Sequence, residues 1–131
     1  MTPQPVSRPL RVEQVGGVTV VHFTIPEVLH ADIIDSVDDA LSALIEDEGR
    51  RRLVLDFGDV RRVSSSLLGR LVALHRRLLS LEGHLALCNL APEVRRVFDL
   101  CQLPRLLHLC PDLHSALQRL AEDPAPEDPP R

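Results

Sequence analysis

Apolar residues recur along this chain in two alternating rhythms. Leu10 to Val15 has the length and composition of a first strand, and Gly16-Gly17 signals a turn into a second, so a hairpin is expected. That second run, Val18 to Ile25, places Val18, Val20, His22 and Thr24 on one face and Thr19, Val21, Phe23 and Ile25 on the other. Apolar residues on both faces describe a strand covered on two sides; Pro26 ends it. A helix is expected from near Asp32, which can cap it, with Ile34, Val37, Leu41, Leu44 and Ile45 as its inward stripe and Gly49 as its stop. Arg50-Arg51-Arg52 then lies at the negative end of that helix.

Leu53 to Phe57 is nearly all apolar, as a central strand buried on both faces would be. A helix opening at Ser64, Ser65 and Ser66 carries Leu68, Leu71, Val72, His75, Leu78 and Leu79 along one side and stops at Gly83. His84 to Cys88 is a further strand and Asn89 a turn. Pro92 suits the first turn of a third helix, with Val94, Val97, Phe98 and Cys101 inward. Pro104 separates it from a short strand, Leu106 to Leu109, and Pro111-Asp112 starts a last helix lined by Leu113, Leu117 and Leu120. Single strands alternating with helices require crossover connections. The expected fold is therefore α/β: a mixed, mainly parallel sheet of about five strands with four helices. The domain is expected over residues 10–121, between a proline-bearing arm (1–9) and a proline- and acid-rich tail (122–131).

Composition narrows the function. At 131 residues, 44% hydrophobic and 26% charged, the chain has room for one ordinary core. No apolar run approaches the roughly 20 residues that cross a bilayer, and the N-terminus lacks a signal-peptide core, so no membrane insertion and a cytoplasmic location are expected. All 15 basic residues are arginine, dispersed among acids, and three phenylalanines are the whole aromatic complement. Stacking platforms for single strands are thus missing, and direct nucleic-acid binding is not expected. Cys88, Cys101 and Cys110 form no CxxC pair and read as reduced thiols.

Phosphate-binding, dinucleotide-binding, zincin and nucleophile-elbow motifs are all absent, and without lysine there is no lysine-dependent catalysis. His108, Cys110 and His114 have conceivable metal spacing but straddle a strand, a proline and a helix start, so neither a metal nor a cofactor is expected. His75 reads as a packed core histidine with one ring nitrogen satisfied. A hydrolase built on Asp56 and the serines is a minor alternative, since spacing brings no histidine to them. What stands out is the serine run itself. Hydroxyls at a helix start lie where unpaired N–H groups and the helix dipole favour an anion.

The stretch Leu55-Asp56-Phe57-Gly58-Asp59-Val60, then Val63-Ser64-Ser65-Ser66-Leu67-Leu68-Gly69, resembles the central pattern of STAS domains, the family named for sulfate transporters and anti-sigma factor antagonists. Asn89 to Val94 resembles the segment leading into that family's third helix, and the element order agrees over about residues 10–121. Ser64 and Leu67 stand where the family has Asp and Gly. The resemblance implies a non-enzymatic regulatory module that binds an anti-sigma factor which is also a serine protein kinase, or another signalling protein. It implies phosphorylation at Ser65, with Ser66 or Ser64 as alternatives. The implied contact surface comprises Asp56, Val60, Arg61, Arg62, Ser64, Ser65, Ser66, Leu67, Gly69 and Arg70. The family also includes scaffolds of signalling particles and soluble subunits of membrane transporters, which is the alternative reading.

Overall fold

A computed structural model describes residues 9–122. Seven strands and four helices follow one another: β1 (Leu10–Val15), β2 (Val18–Phe23), β3 (Glu27–Val28), α1 (Ala31–Glu46), β4 (Arg52–Asp56), β5 (Arg62–Val63), α2 (Ser65–Ser80), β6 (His84–Cys88), α3 (Pro92–Leu100), β7 (His108–Cys110) and α4 (Leu113–Glu122). The main sheet has five strands in the order β1-β2-β4-β6-β7. Only the β1–β2 hairpin is antiparallel; β2–β4, β4–β6 and β6–β7 are parallel. The expected mixed, mainly parallel sheet with four helices is the one observed.

Strand alternation explains why the central strands are apolar throughout. Leu53, Leu55, Leu85 and Leu87 point into a large core with Val21 and Phe23, covered by α1, α2 and α3. Their neighbours Val54, Ala86 and Cys88 point the other way, onto Ala116 and Leu120 of α4 with Val18 and Val20. The stripe of α1 is the expected one, Ile34, Val37, Leu41, Leu44 and Ile45. Burying side chains of this size contributes about 1.5–3 kcal/mol each before the entropy of ordering them.

Several local expectations are corrected. Asp32 does not cap α1: the N-cap is His30, without a side-chain bond, and Asp32 lies in the first turn, where its charge suits the helix dipole. Strand β2 stops at Phe23, and Thr24 N–H donates to Pro9 O (2.9 Å). In α2 the inward face is Leu67, Leu68, Leu71, Leu74, His75 and Leu78, whereas Leu79, at the edge of that stripe, is exposed. Cys101 follows the last residue of α3, leaves its helical period and is exposed. A 3-10 turn over Leu103–Arg105 then shifts the last strand to His108–Cys110. Helix α4 runs through Glu122, past the expected start of the tail. The arm before Pro9 and the tail after Glu122 lie outside the described residues.

Two local features fix the chain path. A Cβ on Gly83 would sit 2.4 Å from Arg51 O, because β6 begins against that carbonyl and His84 N–H donates to it at 2.7 Å. Arg51 Nη1 donates to Ile45 O (2.9 Å), so this arginine of the triplet closes the end of α1.

His75 is buried on the inner side of α2, but among the described residues its Nδ1 has no hydrogen-bond partner. Its ring meets His108 edge to face at 6.1 Å. Burial, then the nearby His108, His84 and Arg76, push its pKa below the ordinary histidine value. The unfolded chain therefore takes up this proton first as pH falls, and that difference works against folding. Stability from His75 is complete above about pH 6.5 and is lost as pH falls towards the lower folded value. Urea midpoints compared between about pH 7 and pH 5 should drop less in His75→Leu than in the parent chain; equal drops would exclude this contribution.

Candidate functional site

The end of the sheet where β4 finishes is built from two short parallel segments that no periodicity reveals. Glu27 and Val28 of β3 pair with Arg62 and Val63 of β5. Arg61 N–H and Arg62 N–H both donate to Pro26 O (2.7 and 3.1 Å), and Ser64 N–H donates to Val28 O (3.1 Å). Beneath this pair Val28, Phe57, Val60 and Leu67 are essentially inaccessible. The start of α2 is thereby held from below by apolar packing and from the side by backbone bonds.

Ser64 is the N-cap of α2, and its hydroxyl accepts from Leu67 N–H at 3.4 Å. Ser65 and Ser66 are the first two helical residues, both exposed. The helix itself supplies no acceptor for their N–H groups. No acid occupies the first turn, so its positive dipole end is not offset by a carboxylate there. Arg61 and Arg62 are exposed just before it. Arg61 Nη1 donates to Gly58 O (3.0 Å). Arg62 lies 3.6 Å from Glu27 in an exposed pair, of a kind that contributes little to stability.

The expected contact residues thus divide. Arg61, Arg62, Ser65, Ser66 and Gly69 are exposed, and Ser64, Asp56 and Arg70 are partly so. Val60 and Leu67 are buried and support the surface instead of forming it. Their burial corrects the expectation that they face a partner; both are apolar and close the core under β3 and β5. Arg70 is engaged within the chain: Nη1 donates to Asp38 (2.9 Å) and Nη2 to Asp35 (2.8 Å), joining α2 to α1. Arg77, two turns on, likewise meets Glu46.

Asp56 also faces inward. Its Oδ1 accepts from Gly58 N–H (2.9 Å) and Asn89 Nδ2 (3.0 Å), and its Oδ2 lies 2.7 Å from His22 Nδ1. The other ring nitrogen, Nε2, is 3.1 Å from Glu13. One carboxylate therefore ties together the ends of β2, β4 and β6 and shapes the loop that leads to β5. A histidine does stand beside Asp56, contrary to the sequence expectation, because parallel pairing sets His22 opposite Asp56. Both its nitrogens face carboxylates, so no lone pair is directed at Ser64, Ser65 or Ser66 to act as a general base. Among the described residues, no group of three or more His, Cys, Asp or Glu is placed to hold a metal ion, and no helix is long and apolar enough to cross a membrane.

Gly69 lies one turn beyond Ser65 on the exposed side of α2. Among the described residues, a Cβ added there would meet nothing within 4 Å. No close approach among them offsets a glycine that costs about 1 kcal/mol relative to alanine in a helix. Gly69→Ala should raise stability by about 0.5–1 kcal/mol in urea unfolding; a loss would reveal a close approach to this face of α2.

Comparison with known proteins adds a family to this geometry. The STAS domain model matches residues 9–116. A Bordetella bronchiseptica protein named as an anti-sigma factor antagonist, BtrV, is 30% identical over 91 residues, covering 70% of this chain and 76% of its own. The crystal structure of an anti-sigma factor antagonist from Mycobacterium paratuberculosis superposes with a TM-score of 0.77 at 26% identity, covering 89% of this chain and all of the other. The phosphorylated form of SpoIIAA, a Bacillus cell-fate determinant, shares the fold with a TM-score of 0.64 at 21% identity, covering 84% of this chain and 97% of its own.

Proposed function

The chain belongs to the STAS domain family, and on that premise we propose that it is a cytoplasmic regulatory module of the anti-sigma factor antagonist type. Its partner is an anti-sigma factor that doubles as a serine protein kinase. It docks through the exposed start of α2, with Ser65 at the centre, Ser66 and Ser64 beside it, and Arg61, Arg62 and Gly69 around it. It acts by binding, without catalysis, nucleic-acid contact or membrane insertion. The observation that carries this reading is the placement of Ser65. It is an exposed hydroxyl on the first residue of α2, above a packed floor and without a neighbouring acid in that turn. The antagonist names of similar proteins support it.

Phosphorylation of Ser65 would add about −1.5 to −2 charges and three acceptor oxygens. The helix dipole and the unpaired N–H groups favour that charge locally. The packing beneath Ser65 has no reason to change, so the effect falls on the docking surface. A partner fitted to a small neutral hydroxyl meets a bulky dianion.

The test begins with partner capture from the native host, followed by titration of the purified partner. Ser65→Glu should weaken binding more than tenfold, about 1.4 kcal/mol, while Ser65→Ala keeps affinity and removes the phosphate seen by intact-mass analysis. An unchanged Kd for Ser65→Glu would refute the switch. A chain that stays unmodified under several growth conditions would point to an unswitched scaffold.

A further inference from the structure

The geometry points to a redox modification site that is independent of Ser65: Cys88 and Cys110, facing each other across β6 and β7, close an intramolecular disulfide on exposure to a peroxide. Cys88 is the last residue of β6, and its register partner on β7 is Cys110. Parallel neighbours lie about 4.8 Å apart, inside the roughly 4.4–6.8 Å between Cα atoms that a disulfide spans. Directly paired residues point to the same face of a sheet, and here Cys88 belongs to the small cluster under α4, with Ala116 and Leu120, while Cys110 packs against that cluster. Both are free thiols, Cys88 buried and Cys110 partly exposed. Cys101 is exposed beyond the end of α3 and has no such register partner.

The order of reaction follows from exposure and charge. Burial, with Asp56, Cys110 and Asp112 adding to it, pushes the Cys88 thiol up to about 12. Cys110 is raised too, chiefly by burial, but Arg119 opposes the shift. Cys110 is therefore the thiol that meets the oxidant. Its sulfur attacks one peroxide oxygen, the O–O bond breaks, and a sulfenic acid and one water form. The Cys88 sulfur then displaces the sulfenic hydroxyl, which leaves with the Cys88 proton as a second water. In sum two thiols lose two protons and two electrons, and the peroxide takes up both. Proximity compensates for the small thiolate fraction of Cys88, and closure should quicken as pH rises.

The bond would form beside Asp56, whose own register partner is Cys88, and next to Asn89, which donates to Asp56. It would also close a loop containing α3 and the 3-10 turn. The test treats the folded chain with hydrogen peroxide, alkylates it under denaturing conditions and maps its peptides. A cross-linked peptide pair joining Cys88 to Cys110, at the summed mass of the two reduced peptides less two hydrogens and reversed by dithiothreitol, is expected. Cys101→Ser should form it equally. Cys110→Ala, at a partly exposed position, should abolish it and leave Cys88 alkylatable. Cys88 and Cys110 both still alkylatable after peroxide, a bond involving Cys101, or oxidation of Cys110 alone to sulfinic acid would each overturn the proposal.

Discussion

Leu67→Ala should destabilise the chain by about 3 kcal/mol, within the usual range for emptying a buried leucine site. Leu67 is 1% exposed and belongs to the main core, beneath the start of α2. Alanine is the best helix former, so the substitution leaves helix propensity unharmed and isolates the packing loss. The unfolding midpoint in urea should fall with little change in slope. Domains of this class hold only about 5–15 kcal/mol in total, so the loss is a large share. A midpoint within experimental error of the parent would mean that Leu67 faces solvent and is free to touch a partner. Because the residue is a floor for Ser65, the variant should also lose partner affinity in proportion to local loosening, without any change of charge at the surface.

Leu67 shows where sequence reasoning stops. A leucine in the first turn of an amphipathic helix belongs to either edge of the apolar stripe, and periodicity alone does not choose. The choice is made by β3 and β5, which cover the helix start and bury Val28, Val60 and Leu67 together. Each of those strands is two residues long, too short to carry an alternation that a reader of the sequence can recognise. The long apolar runs behave differently. Val18 to Phe23, Arg52 to Asp56 and His84 to Cys88 are strands because both faces of a central parallel strand are covered, and that demand is written directly in their side chains.

The candidate site was legible in part for a related reason. Exposed serines at a helix start announce themselves by local chemistry, and Ser65 and Ser66 are exposed there. The partners of Arg70 and Asp56 do not. Arg70 reaches Asp35 and Asp38, more than thirty residues away in the chain, and Asp56 meets His22 and Asn89 at similar separations. Charged residues expected at a docking surface are instead engaged by distant partners that only the sheet register and the α1–α2 packing bring close. The surface left for a partner is correspondingly smaller and less charged: two serines, a glycine and the two arginines before them.

Asp56→Ala should cost about 3 kcal/mol, since it strands several donors in a partly buried place. The Asp56 side chain is 15% exposed. Its removal leaves Gly58 N–H, Asn89 Nδ2 and His22 Nδ1 without their acceptor at once. Gly58 opens the loop to β5, so the register of Arg62 with Glu27 is where the loosening should appear first. Asp56→Asn keeps one carbonyl for Gly58 and Asn89 but turns a donor amide towards the ring nitrogen; its cost should be smaller, about 1–2 kcal/mol. Urea unfolding separates the two variants, and faster amide exchange at Arg62 and Ser64 would locate the damage in the segment that carries the serines. If Asp56→Ala unfolded like the parent while losing its partner, Asp56 would be a contact residue and the inward network would be wrong. If it lost stability and the serine segment exchanged faster, binding would weaken through the platform under Ser65, with the serine itself intact.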